Sequence, residues 1–64
     1  MIEYAKVILP KVTFSRELFR KELFKSIKWV EGGDELAELH RWCVDNFNHL
    51  YPNIISEAFE GLAA

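Results

Sequence analysis

Residues 3–9 read Glu3-Tyr4-Ala5-Lys6-Val7-Ile8-Leu9, and the conformation of this stretch decides the fold. It is rich in β-branched and aromatic types and runs into Pro10, the pattern of a strand. Alternation puts Tyr4, Lys6 and Ile8 on one side and Ala5, Val7 and Leu9 on the other. Both sides are mostly apolar, as in a strand covered on both faces. Lys11 to Phe14 continues it, giving an expected extended segment over 3–14. A strand needs partners for its N–H and C=O groups, and Pro10 leaves no room for a tight hairpin with 11–14. Pairing is therefore expected from another chain, as a homodimer with the two segments paired or packed across a two-fold axis.

Downstream, the pattern changes to a helical period, and Gly and Pro divide it. Ser15 is the expected N-cap of a helix over 15–31, with Glu17 in its first turn and Gly32 at its end. Phe19, Leu23, Ile27 and Val30 fall on one stripe of it, and Leu18 and Trp29 form a second apolar ridge. Lys21, Lys25 and Lys28 line the opposite face. Asp34 is the expected N-cap of a helix over 34–48, whose stripe is Leu36, Leu39, Cys43, Phe47 and Leu50. Pro52 suits the first position of a third helix over 52–61, with Ile54, Ile55, Ala58, Phe59 and Leu62 on one face. The expected fold is mainly α: a short N-terminal extended segment, then a three-helix array completed by dimerisation.

Strand, helix, helix is similar in order to the ribbon-helix-helix repressors over about residues 3–48. Such a ribbon reads base edges with polar side chains. Between Tyr4 and Leu9 only Lys6 is of that kind, and no family signature accompanies the order.

At 64 residues the chain allows one domain. Half of it is hydrophobic, which is too apolar for a disordered tail. A core this small supplies only about 3–5 kcal/mol of net stability, so a supplement is expected. Cys43 is the one cysteine, so no disulfide forms within the chain, and a lone cysteine fits a reducing compartment. The first residues lack the pattern of a signal peptide, and no apolar run reaches the 18 or so residues that span a bilayer. These features suggest a cytoplasmic chain with no membrane partner.

The net charge of −2 conceals an asymmetry. Residues 1–30 hold seven Lys/Arg against three Glu, and residues 31–64 hold one Arg against seven Asp/Glu. One reading is a basic patch for nucleic acid or an acidic partner. The other, favoured here, folds the halves together so that their fields partly cancel, screening removing the rest beyond about 8–10 Å.

No residue set reads as catalytic, so no enzyme, cofactor or metal is expected. His40 and Cys43 are three apart, the spacing of a thiolate–imidazole pair. An apolar stripe raises a thiol's pKa, however, and no third group orients the histidine. With His49 the pair spells His-x2-Cys-x5-His, but on a continuous helix His49 points about 120° away from Cys43, and a fourth ligand is missing. Glu35, Glu38 and Asp45 read as a solvated face. Two candidate surfaces remain. Tyr4, Val7, Leu18, Trp29 and Trp42 are the expected interface of a protein-interaction module that self-associates or binds a partner protein. Arg16, Lys21, Lys25 and Lys28 are the alternative, an anion-binding face for nucleic acid. That alternative is weakened because only Phe14 offers a ring near the lysines for stacking.

Overall fold

The expected strand is a helix. The computed structural model describes residues 2–60, and its first element is α1, Ile2–Ile8, followed by a 3-10 turn at Leu9–Val12. Ala5, Ile8, Leu9 and Val12 recur at i, i+3, i+4 and i+7, which is the helical period. Ala5 and Leu9 are fully buried and Val12 is nearly so, while Glu3, Tyr4, Lys6 and Val7 face solvent. Burial on one stripe outweighs the modest β preference of Tyr, Val and Ile, since such preferences are weak beside tertiary packing. Pro10 stands at the start of the 3-10 turn, where it needs no N–H of its own. The rest of the expected extension, up to Phe14, is turn, and Ser15 after it has β-region dihedrals, as a helix cap. Among the described residues there is no strand, so the need for a partner strand and the likeness to ribbon-helix-helix order both go with it.

Helix α2 spans Arg16–Lys28, α3 Gly33–Phe47 and α4 Pro52–Glu60. Ser15 caps α2, its Oγ accepting from Leu18 N at 3.3 Å. The helix stops at Lys28 rather than 31, with Trp29 as its C-cap. The cap of α3 is Gly32 and not Asp34: Gly32 has φ 106°, and Asp34 and Glu35 lie inside the first turn. Glu35 reaches back there, accepting from Glu31 N at 3.2 Å. Pro52 opens α4; Gly61 and Leu62 lie outside the described residues.

The helices form a ring in the order α1, α2, α4, α3. Helices α1 and α4 each pack against both α2 and α3, which therefore sit at opposite corners. The ring of Phe19 holds the centre, edge-on to Phe47 at 5.1 Å and tilted on Tyr51 at 4.9 Å between centroids. Leu9, Leu23, Leu39, Cys43, Ile55 and Phe59 complete the core around it.

Candidate functional site

The ring arrangement sorts the expected interface residues. On α2, Leu18, Glu22, Lys25 and Trp29 follow i, i+4, i+7 and i+11 and so form one line along the helix. Tyr4 of α1 lies against the middle of that line: its hydroxyl donates to Glu22 Oε1 at 3.2 Å, and Lys25 Nζ sits 5.8 Å above its ring. Tyr4, Leu18 and Trp29 thus share one surface, with Val7 exposed on α1 beside it. Trp29 is 63% exposed and Val7 57%. Trp42 does not join them. It is half-buried on α3, packed on the core and edge-on to Phe47 at 5.2 Å. Phe14, which is 79% exposed, was not on the expected list, although its place between the 3-10 turn and α2 leaves it no helix stripe to join.

The expected anion-binding face divides. At about 100° per residue, Lys21, Lys25 and Lys28 fall within about 60° of arc, whereas Arg16 lies about 180° from Lys25. Arg16 belongs to the α4 side, where Arg20 Nε donates to Glu57 Oε1 at 3.0 Å. The Arg20 hydrogen bond, and then its charge, hold the Glu57 carboxyl below its ordinary range, and Arg16 adds to that pull. The three lysines, by contrast, reach no carboxylate among the described residues. Neither Glu17 nor Glu22 pairs with them in the manner helical spacing suggests. With Glu17, Arg20 and Phe24 they line a shallow, open depression. Phe24 therefore supplies the ring that the sequence pattern seemed to lack, though Arg20 already stands over it at 4.7 Å.

Charge stays asymmetric across the surface. Among the described residues, only Lys6–Glu38 at 3.5 Å and Arg20–Glu57 join the basic half to the acidic half. The cross-section is 21 × 19 Å, so opposite faces are separated by more than the roughly 8 Å over which physiological salt screens charge. The halves pair locally at these two bridges, while the lysine row of α2 lies beyond the screening length from the acidic row of α3.

Residues with possible chemistry lie in unlike settings. Cys43 is fully buried, and burial pushes its thiol up to about 12. His40 stacks on Phe59 at 4.5 Å on the α4 side, and His49 is exposed in the turn after α3. Among the described residues no three His, Cys, Asp or Glu side chains converge in a metal-holding group, and no helix is long and apolar enough to cross a membrane. Comparison of the chain with protein-family models, with curated proteins and with solved structures gave no match.

Proposed function

We propose that this chain is a non-enzymatic protein-interaction module that self-associates through the outer face of α1 and α2. One observation carries the reading: Leu18 and Trp29 stand exposed along one line of α2, Tyr4 of α1 lies against the Glu22 and Lys25 between them, and Val7 is exposed on α1 as well. Aromatic side chains of this kind are the usual anchors of protein interfaces. The partly exposed Tyr4 is held in place by Glu22 and Lys25, which lowers the entropy it loses on binding. The sealed Cys43 thiol favours a binding role over a nucleophilic one.

Sedimentation equilibrium at micromolar concentration tests the proposal. The wild type associates, and Trp29→Ala or Leu18→Ala weakens association by about tenfold or more, as loss of an anchor does. Trp42→Ala lowers stability instead. A wild type that stays monomeric at every concentration and salt level removes the proposal.

A second reading keeps the lysine row for nucleic acid, and the position of Phe24 in that depression is what favours it. Fluorescence anisotropy with a labelled single strand tests it. The reading requires affinity that falls steeply as salt rises and is lost in Lys21→Gln/Lys28→Gln.

A further inference from the structure

We infer that copies associate head to tail, with the lysine row of α2 in one copy seated against the acidic face of α3 in the next. This rests on the self-association proposed above and specifies its geometry. Helices α2 and α3 occupy opposite corners of the ring, so their solvent faces look in opposite directions. The first carries Lys21, Lys25 and Lys28, all exposed. On the second, Asp34, Glu38 and Asp45 are exposed and fall within about 40° of arc. Arg41 stands at the edge of that acidic row, and Lys6 already engages Glu38. Asp34 and Asp45 make no ion pair among the described residues.

The apolar flanks match as well. Leu18 and Trp29 border the lysines on the α1 side, and the exposed Val44 borders the acids. Each face is therefore a charged row with an apolar margin, the two rows of opposite sign. A two-fold pairing of the α2 face with itself would set lysines against lysines, and like charges across an interface oppose association. A second copy turned head to tail presents carboxylates there. Such a contact is heterologous, so it continues from copy to copy unless the rotation closes a ring.

The test uses two charge-altered chains in sedimentation equilibrium. Lys21→Glu/Lys28→Glu is acidic on both faces, and Asp34→Asn/Asp45→Lys has lost its acidic row. Each alone is expected to be monomeric under conditions where the wild type associates. Mixed in equal amounts they should form a one-to-one pair, because the first keeps its α3 face and the second its α2 face. Wild-type association is expected to weaken about tenfold as ionic strength rises from about 0.01 M to about 0.15 M, as the screening length shrinks from about 30 Å to about 8 Å. Circular dichroism checks that both variants fold. If either does not, Lys21→Gln/Lys28→Gln and Asp34→Asn/Asp45→Asn replace them, and each must weaken association. Two folded variants that fail to pair, or an α3 variant that associates as the wild type does, overturn the head-to-tail geometry and leave self-association standing. A monomeric wild type overturns both.

Discussion

The hydroxyl of Tyr51 donates to the carbonyl of Thr13 at 2.5 Å, across 38 residues of sequence. The same ring lies on Phe19. One side chain thus ties the turn before α4 to the turn before α2 and also packs on the core. Tyr51→Phe keeps the ring and removes the bond, so it should lower stability by about 1 kcal/mol. In a domain of this size that corresponds to a melting point lower by about 4–8 °C. An unchanged melting point would mean that water replaces the hydroxyl at no cost.

Ser26 presents the opposite case. It is 1% exposed on the inner side of α2, and its Oγ has no hydrogen-bond partner among the described residues. Desolvating a hydroxyl without a partner is unfavourable, and Ala is the better helix former. Ser26→Ala should therefore raise stability by about 1 kcal/mol, read from the urea midpoint at constant slope. A lower midpoint would show that the hydroxyl is satisfied after all.

The two glycines between α2 and α3 should respond in opposite directions. Gly32 has φ 106°, where an L side chain is strained, so Gly32→Ala should cost about 1 kcal/mol or more. Gly33 is the first residue of α3, and a Cβ there meets no atom within 4 Å. Gly33→Ala should stabilise by about 0.4–1 kcal/mol by restricting the unfolded chain. Thermal unfolding of the two variants side by side gives the comparison, and equal shifts would count against the assigned cap.

Burial raises the Cys43 thiol from its ordinary 9.0 to about 12. The native state therefore holds this proton after the unfolded chain has released it. The contribution to stability is complete below pH 9.0 and is lost as pH climbs from there toward 12. Cys43→Ala removes that alkaline slope, apart from what the lysines and tyrosines share with the wild type. The urea midpoint measured on both chains across this range isolates it. A thiol reagent should meanwhile react with the native protein only as fast as it opens.

Much of the helical part was readable from composition and spacing. Ser15 announces the start of α2, Pro52 that of α4, and Phe19, Leu23, Leu39, Cys43, Ile54, Ile55 and Phe59 announce their own burial by period. The first helix was hidden because its residue types and its spacing disagree. Tyr4, Val7 and Ile8 suggest a strand, while Ala5, Ile8, Leu9 and Val12 keep a helical period. A strand with both sides apolar in a chain with nothing to cover it was the warning sign. Of the candidate surface, the gathering of Leu18 and Trp29 follows from spacing along α2 alone. That Tyr4 joins them, that Arg16 falls on the side of Glu57 and that Trp42 stays at the core edge all depend on how the helices are arranged around the ring. Spacing within a helix carries no information about that arrangement.

The two tryptophans occupy unlike settings, one on the outer rim beside the lysines and one lodged against Phe47. Their emission separates two events that a single fluorophore would blend. In a Trp42→Phe chain the remaining indole reports on the proposed arrival of another copy. In a Trp29→Phe chain it reports whether the interior has melted. Two single-tryptophan chains thus follow association and denaturation separately, without an attached dye.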